Sequence, residues 1–527
     1  MASWINFCGG NFFCGGNNMK GKSFVLALLI LCVSVQSEAA SFRDELTRLE
    51  GVVSVDEIVQ SGDIFAEKYV AWFVQPIDWS NPSGDKFLQR VEIGFMGWDN
   101  VNVVNVDGYG LRPSSFVEDD RHELAELYSA NYINIEYRYF ARSIPEGLYE
   151  DKTDLWEYLN DYNASTDFHN IMEQLRGILS GTWVFTGGSK GGQATNVFSY
   201  YYPNDADAYV SYAAPFCNAN NDPRLMEAVY TTIGNERYGE AKAKEYRDLL
   251  LRFQVEAIRH RDYLQPRVSK ITPEYTAQYP FRTASRDFET AVADFARGTW
   301  QYDQNFASVD AVLKMPHDTS TDEKAYLEAM LTLLVDDTER DSADVYSIFP
   351  YMYQAHTENG NYAVVLKYLR EAVEREGLSL TMTEADEADA YARMAFTDEQ
   401  LRLWKFDPTL RNEMINWSHT TQSNVIMIYG NSDPWYFVRL PDVDDNPNVH
   451  IFTMSASHQA FIEDMPAQQK DAVLALLDNW LQADAEREPD TDIQVHSSSS
   501  GCNSGVPVGM IFPVMMLFIM RRKYGRH

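Results

Sequence analysis

Hydrophobic and polar positions in the first half of the chain follow the pattern of short strands separated by helices. Runs rich in β-branched and aromatic residues, each ended by Gly, Pro or Asp, predict strands. They lie at 68–74, 91–96, 101–106, 132–137, 182–186 and 208–213. Polar stretches of helical length, such as 121–130 and 168–180, separate several of these runs. The pattern is typical of an α/β sheet that becomes parallel after an antiparallel start.

The pattern changes near residue 222 and changes back near residue 407. Between these points, helical periodicity with charged outer faces dominates, for example at 240–260, 321–336 and 361–376. Strand patterns then return, and an amphipathic helix closes the series. We therefore predict one α/β core, formed by residues 40–221 and 408–487, into which a helical cap of residues 222–407 is inserted.

Residues 1–39 have the composition of an export signal. Lys20 and Lys22 precede an apolar run at 23–35, and Ser37 and Ala39 supply the small residues of a cleavage site. The apolar run is shorter than the roughly 20 residues that span a bilayer. We predict an upstream extension and a signal peptide. The alternative is that the residues before Met19 belong to a genuinely extended signal peptide.

The C-terminal end carries a second hydrophobic segment. A polar linker at 488–505 precedes the segment 506–527, whose apolar run ends in Arg521-Arg522-Lys523. The run is short and contains two prolines, so we expect a sorting segment that is cut from an exported protein. An ordinary single-span anchor is the alternative. The protein is accordingly expected to be secreted, periplasmic or at the cell surface, with transient membrane association through this segment.

The composition narrows the possible partners. The 527 residues include 44 Lys and Arg against 77 Asp and Glu, for a net charge of −33, and 45% are hydrophobic. The apolar content excludes a disordered acidic chain, and the acidity argues against a nucleic-acid partner. Cys217 is the one cysteine outside the two ends. We expect no intrachain disulfide, no cysteine metal site, no metal and no cofactor, while the oligomeric state stays open.

A glycine-rich turn carries the strongest chemical signal. The strand at 182–186 runs into Gly-Gly-Ser-Lys-Gly-Gly at 187–192, and a helix pattern follows. A G-x-S-x-G sequence between a strand and a helix predicts a nucleophile elbow, with Ser189 as nucleophile and the backbone N–H of Lys190 as an oxyanion donor. The alternative is a plain glycine turn or a phosphate loop, although a Walker loop would need Ser or Thr at position 191.

A serine nucleophile needs a base, and the base needs a carboxylate that fixes its tautomer. Asp433 follows the strand pattern at 424–429, and His458 follows the next one at 449–453. The order Ser, Asp, His is that of α/β-hydrolases, so we predict Asp433 as the acid and His458 as the base. In this fold the loop after strand 101–106 supplies a second oxyanion donor. We expect a backbone N–H of Tyr109 or Gly110 there, with a plain turn as the alternative.

Several segments resemble the secreted serine tripeptidyl aminopeptidases, which are α/β-hydrolases distantly related to the lysosomal prolyl carboxypeptidases. They are Asp-Gly-Tyr-Gly at 107–110, Ile-Glu-Tyr-Arg-Tyr-Phe at 135–140, Thr-Gly-Gly-Ser-Lys-Gly-Gly at 186–192, Tyr-Ala-Ala-Pro at 212–215 and Gly-Asn-Ser-Asp-Pro-Trp at 430–435. The resemblance implies an α/β-hydrolase sheet with an inserted helical cap. It also implies a serine exopeptidase that removes tri- or tetrapeptides from a free N-terminus, often after proline.

An aminopeptidase needs a group that binds the substrate ammonium. Glu136 is a candidate, and an ion pair of Glu136 with Arg138 or Arg142 is the alternative. Trp435, two residues after the predicted acid, is a candidate for lining a proline pocket. The alternative is that its side chain only packs against neighbouring residues. Two other functions stay open: an ester or amide hydrolase on the same scaffold, and a catalytically silent surface-binding homologue.

Overall fold

The computed structural model describes residues 40–58, 64–112, 116, 121–148, 153–269, 280–302, 306–335 and 348–482. The predicted signal peptide, the polar linker and the C-terminal hydrophobic segment lie outside the described residues. The described residues from Ser41 onward belong to one compact unit. In this part of the chain we find no helix with the length and apolarity that a membrane crossing requires.

A nine-stranded mixed sheet organises the α/β core. In chain order its strands are β1 (Val52–Glu57), β2 (Glu67–Pro76), β3 (Lys86–Phe95), β4 (Asn102–Val106), β5 (Asn131–Ile135), β6 (Trp183–Gly188), β7 (Ala208–Tyr212), β8 (Val425–Gly430) and β9 (Val449–Met454). Their order across the sheet is β1-β2-β3-β5-β4-β6-β7-β8-β9. Pairing is antiparallel from β1 to β5 and parallel from there to β9. The predicted antiparallel start and parallel continuation are confirmed.

Helices cover the sheet and fill the long connection between β7 and β8. The α-helices are α1 (Phe42–Arg48), α2 (Glu123–Leu127), α3 (Asp161–Arg176), α4 (Lys190–Tyr201), α5 (Arg224–Thr231), α6 (Asn235–Tyr238), α7 (Glu240–Arg259), α8 (Arg261–Val268), α9 (Ala284–Gln301), α10 (Phe306–Leu313), α11 (Ser320–Leu334), α12 (Ile348–Gln354), α13 (Lys367–Arg375), α14 (Glu384–Glu387), α15 (Ala390–Ala395), α16 (Asp398–Leu403), α17 (Thr409–Thr420) and α18 (Ala467–Leu481). A π-helix at Ala355–Asn359 and 3₁₀ turns at Thr153–Tyr158, Pro434–Val438 and Ile462–Asp464 complete the list.

Successive residues of the central strands alternate between two buried apolar clusters, as the period of two of a strand requires. Val103 and Val184 belong to the cluster that contains α2 and α18. Val104 and Phe185 belong to the cluster that contains α3 and α4. The central strands are therefore covered on both faces, which is why they appear in the sequence as nearly continuous apolar runs.

Helices α5 to α16 occupy the stretch where the cap was predicted, while α17 packs against α4 of the core. The cap boundaries at 222 and 407 stay predictions. Within the cap, the helix expected at 361–376 begins only at Lys367. Gly360 has φ 75°, and the chain then pairs with Asp222, which donates its N–H to the Asn361 carbonyl at 2.8 Å. Because this extended pairing with Asp222 uses the first residues of the segment, the helix begins later than expected.

Candidate active site

The predicted elbow lies between β6 and α4. Ser189 follows the last residue of β6 and precedes the first residue of α4, and its backbone has φ 56° and ψ −120°. Such a conformation costs a non-glycine residue about 1–3 kcal/mol, and it persists where neighbours enforce it. The Ser189 N–H donates to the Tyr212 carbonyl at 2.8 Å, and the Ser189 carbonyl accepts from Gln193 N–H at 2.9 Å. The nucleophile candidate is thus held on a strained turn at the carboxyl end of a parallel strand.

The glycines around Ser189 are required by close backbone contacts. A Cβ atom on Gly191 would lie 1.9 Å from the Val106 carbonyl oxygen, and one on Gly187 would lie 2.5 Å from the same atom. A Cβ on Gly192 would lie 2.6 Å from the Tyr212 carbonyl oxygen. The start of α4 is therefore pressed against the ends of β4 and β7, which leaves no space for a methyl group.

The variant Gly191→Ala should be among the most destabilising single-methyl changes in the core. We expect the free energy of unfolding to fall by about 3 kcal/mol or more, because the added methyl overlaps backbone that cannot move away. Chemical denaturation measures the change. Gly177→Ala is the matched control, since its Cβ would meet the Gln174 carbonyl oxygen at 3.1 Å and its φ is −64°. Equal stabilities of the two variants would contradict the close approach.

The predicted acid and base are in contact. Nδ1 of His458 lies 2.7 Å from Oδ2 of Asp433, whose side chain is fully buried. The other carboxylate oxygen, Oδ1, accepts from the Trp435 N–H at 3.2 Å and caps the 3₁₀ turn Pro434–Val438. With Nδ1–H donating to Asp433, Nε2 of His458 is left unprotonated and able to accept a proton.

Two neighbours hold the His458 loop from opposite sides. On the core side, a Cβ on Gly430 would lie 2.0 Å from the Ser457 carbonyl oxygen, so the ends of β8 and of the His458 loop touch. On the cap side, the His458 N–H donates to the Gln301 carbonyl at 2.9 Å, at the end of α9. The Tyr302 ring meets the imidazole edge-on at 5.8 Å between centroids.

Ser189, Asp433 and His458 follow β6, β8 and β9, which run parallel within one continuous part of the sheet. Their side chains therefore belong to the same carboxyl edge. A small cavity opens there beside Ser189. Its lining is mostly aromatic and polar and comprises Tyr109, Ser189, Lys190, Gln193, Pro215, Tyr351, Ala355, Asn359, Gly360 and Trp435.

Some of the predicted site residues line the cavity, together with others that the sequence did not reveal. Tyr109 and Trp435 line it, whereas Gly110 is buried without lining it. Tyr351 and Asn359 come from the cap, on α12 and on the π-helix, and no motif marks them in the sequence. A π-helix is often found at functional sites, but its single-turn insertion leaves no periodic signal in the sequence.

The structure does not place the Glu136 carboxylate where it could bind a substrate ammonium in the cavity. The side chain is fully buried, and burial raises the pKa of its carboxyl group. Oε2 accepts from the Leu111 N–H at 3.0 Å, and Oε1 accepts from the Arg142 N–H and the Ser143 hydroxyl, both at 2.9 Å. Glu136 thus anchors two loops and is not among the cavity-lining residues in the described part of the chain.

The alternative pairing of Glu136 with Arg138 is also not observed. Arg138 instead forms a buried ion pair with Asp167, with 2.7 Å between Nε and Oδ2. The error arises because sequence shows that a carboxylate exists but not which backbone donors surround it.

A grouping of His169, Glu173 and Asp205 has metal-ligand spacing on the core. Arg176 binds both Glu173 and the Asp205 carbonyl there, so the existing contacts already satisfy this group.

Comparisons with known proteins identify peptidases as relatives of this chain. The sequence model of the family described as PS-10 peptidase S37 matches residues 35–491. The prolyl tri/tetrapeptidyl aminopeptidase of Streptomyces mobaraensis is 25% identical over 411 residues, which are 76% of this chain and 76% of that protein. The thymus-specific serine protease of Mus musculus is 29% identical over 153 residues, covering 27% of this chain and 30% of the relative.

Similar chains also occur among solved structures of hydrolytic enzymes. The proline iminopeptidase of Mycobacterium smegmatis has 15% identity and a TM-score of 0.31, with 78% of this chain and 100% of that chain covered. A peroxisomal α/β-hydrolase from Saccharomyces cerevisiae has 11% identity and a TM-score of 0.33, with 87% and 98% covered. The sheet order, the elbow and the order of Ser, Asp and His give this chain the α/β-hydrolase fold.

Proposed function

The chain belongs to the PS-10 peptidase S37 family, and from this premise we propose that it is an exported exopeptidase that releases tri- or tetrapeptides from free N-termini. It is a serine-type peptidase. The export part of the proposal rests on the hydrophobic segments at the two ends of the sequence. Mass spectrometry of the termini of the mature protein tests it, because intact ends at 1 and 527 would contradict both predicted cleavages.

The observation that carries the proposed mechanism is the contact between His458 and Asp433 at the sheet edge that bears Ser189. In the first step Ser189 Oγ attacks the peptide carbonyl carbon while His458 Nε2 takes the hydroxyl proton. His458 then gives this proton to the departing amine, and the bond between carbonyl carbon and nitrogen breaks. Asp433 keeps the imidazole in the required tautomer and stabilises its positive charge.

The acyl-enzyme is then hydrolysed by the reverse use of the same groups. His458 takes a proton from water, the resulting hydroxide attacks the ester carbon, and the proton returns to Ser189 as the peptide leaves. In both steps negative charge develops on the carbonyl oxygen. We propose that the backbone N–H of Lys190 and that of Tyr109 or Gly110 hold this oxygen, helped by the N-terminus of α4.

The cavity beside Ser189 supports a preference for a compact ring before the cleaved bond. Tyr109, Tyr351 and Trp435 present aromatic surface and Pro215 an apolar edge. Trp435 is buried and packs edge-on against Tyr362, with centroids 5.5 Å apart, which fixes its orientation. An aromatic and apolar surface of this kind suits a proline ring better than a charged side chain.

The free-N-terminus requirement is tested with one chromogenic peptide, Ala-Ala-Pro linked to a reporter amine, with and without an N-terminal blocking group. We expect the blocked form to be cleaved roughly 10- to 100-fold more slowly, because a charge-assisted contact to the ammonium is lost. Equal rates would remove the exopeptidase claim while leaving a serine peptidase.

A short-chain ester is the second arm of this assay. Faster turnover of the ester than of the free peptide would favour the ester hydrolase alternative on the same scaffold. A chain that neither turns over any substrate nor reacts with a fluorophosphonate probe would instead be the catalytically silent homologue. The proposed function predicts probe labelling at Ser189 together with cleavage of the free peptide.

A further inference from the structure

The side chain of Lys190 ends in an aromatic cage. Its Nζ lies 3.3 Å from the ring centroid of Tyr137, 5.1 Å from that of Phe140 and 5.8 Å from that of Tyr109. The residue is buried, and among the described residues Nζ has no hydrogen-bond partner. An ammonium group without hydrogen bonds is costly to bury, and the faces of these aromatic rings offset part of that cost.

The cage joins the two segments that we propose to form the oxyanion hole. Lys190 belongs to the elbow, and Tyr109 belongs to the loop after β4. The Tyr109 ring meets the Phe140 ring edge-on at 5.7 Å, and the Tyr109 carbonyl accepts from the Tyr137 N–H at 3.1 Å. A Cβ on Gly108 would lie 2.7 Å from the Gly191 nitrogen, so loop and elbow are also in direct backbone contact.

The charged groups that face Lys190 come from three other elements. Asp107 lies on the loop after β4, Asp161 at the start of α3, and Glu358 on the π-helix, and all three favour the ammonium form. Arg411 of α17 is a second buried cation that acts on Asp161 and Glu358. Burial outweighs the three carboxyl groups and lowers the pKa of Lys190 from 10.5 to about 7.

We propose that the Lys190 ammonium is a positioning residue for acyl transfer: by binding the rings of Tyr137, Phe140 and Tyr109 together it holds the oxyanion loop against the elbow, and it does so only while protonated. This inference rests on the proposed function of Ser189. Lys190 acts through Tyr109 and through the loop geometry. The neutral amine loses the attraction to the rings, the loop loosens, and the backbone donor on it moves away from the developing negative charge.

The pH dependence of kcat for the free Ala-Ala-Pro peptide tests the proposal. The ammonium is present below pH about 7 and disappears above it, so the contribution of Lys190 falls as pH increases through that value. We call the part of the pH profile above this value the alkaline limb. Across it we expect wild-type kcat to decline roughly 10- to 30-fold, which corresponds to the strength of a desolvated cation–π contact.

The variant Lys190→Met keeps the backbone N–H and nearly the length of the side chain but carries no charge. Its kcat should lie roughly 10- to 30-fold below wild type at acid pH and meet the wild-type curve at alkaline pH, with KM nearly unchanged. A decline caused by the substrate amino group would appear in both proteins, so the difference between the profiles isolates Lys190. A kcat within twofold of wild type at every pH, or a change confined to KM, would overturn the proposal.

Matched variants separate a loss of function from a loss of folding. Lys242→Met removes an exposed ammonium that lies 4.7 Å from the Tyr246 ring, and it should leave kcat and its pH profile unchanged. Tyr137→Leu removes the nearest ring face and should move the alkaline limb to lower pH by more than Tyr137→Phe, which keeps that face and loses only the hydroxyl that donates to Asp161 at 3.3 Å. If Lys190→Met does not fold, this pair decides the question, and equal limbs for the two would contradict the cage.

Failure of this inference and failure of the proposed function give different results. If Ser189→Ala keeps its peptidase activity, Ser189 is not the nucleophile and both proposals fall. If Ser189 is labelled by a fluorophosphonate and its loss abolishes activity, yet Lys190→Met behaves as wild type, the inference on Lys190 alone falls.

Discussion

Replacement of Ser189 by alanine is expected to lower kcat/KM for a peptide substrate by roughly 10³-fold or more. The change removes the oxygen that forms the acyl-enzyme and keeps the Cβ atom, so the strained backbone at φ 56° is affected little. The oxyanion donors and the binding cavity remain, which explains why some acceleration over water should survive. Steady-state kinetics and loss of fluorophosphonate labelling measure the effect.

Ser199 provides the control for this substitution. It lies on the same helix, α4, is fully buried, and its hydroxyl has no hydrogen-bond partner among the described residues. Ser199→Ala deletes an equivalent oxygen without touching the cavity, so activity and labelling should match wild type. Retention of more than a tenth of wild-type activity by Ser189→Ala would exclude Ser189 as the nucleophile.

The variant Asp433→Asn is expected to lower kcat by roughly 10³- to 10⁴-fold while the protein stays folded. The amide oxygen can still accept from the Trp435 N–H, as Oδ1 does now, and so keep the 3₁₀ turn capped. That leaves the amide NH₂ facing His458, and an imidazole that accepts at Nδ1 must carry its proton on Nε2. The base is then in the tautomer that cannot take the proton of Ser189.

A surface pair supplies the matched control for Asp433. Asp445 contacts Nδ1 of His419 at 2.6 Å, but its side chain is 68% exposed. Asp445→Asn makes the same chemical change in an Asp–His pair without changing the site, and its kcat should equal that of wild type. Thermal unfolding of both variants separates tautomer effects from stability. An Asp433→Asn enzyme within tenfold of wild type would show that another group orients His458.

Local sequence predicts those elements of the fold whose hydrophobic pattern does not depend on residues far away in the chain. The parallel strands are buried on both faces, so their apolar runs mark them to within a residue or two, as at β6 and β8. β1 was not predicted, because it is an edge strand with exposed residues, such as Val53 at 56%, and lacks a regular alternation. The helix expected at 168–180 in fact begins at Asp161, where Asn160 caps it.

The same distinction applies to the site. Ser189, Asp433 and His458 could be predicted from sequence because each lies within four residues of the end of a strand, and their order along the chain is that of α/β-hydrolases. Tyr351 reaches the cavity only through the packing of the cap, and the burial of Glu136 depends on donors from two separate loops. No local pattern encodes such contacts, so the sequence alone could not exclude Glu136 as a ligand.

The hydrogen bond from the His458 N–H to the Gln301 carbonyl limits how the length of the cap helix α9 can vary among related proteins. The acceptor is a main-chain atom at the last residue of α9, so almost any side chain at this position can supply it. A one-residue insertion or deletion in α9 would turn the helix end by about 100° and carry the carbonyl away from the His458 loop. For this contact the length of α9 matters more than the identity of the side chain at its last residue.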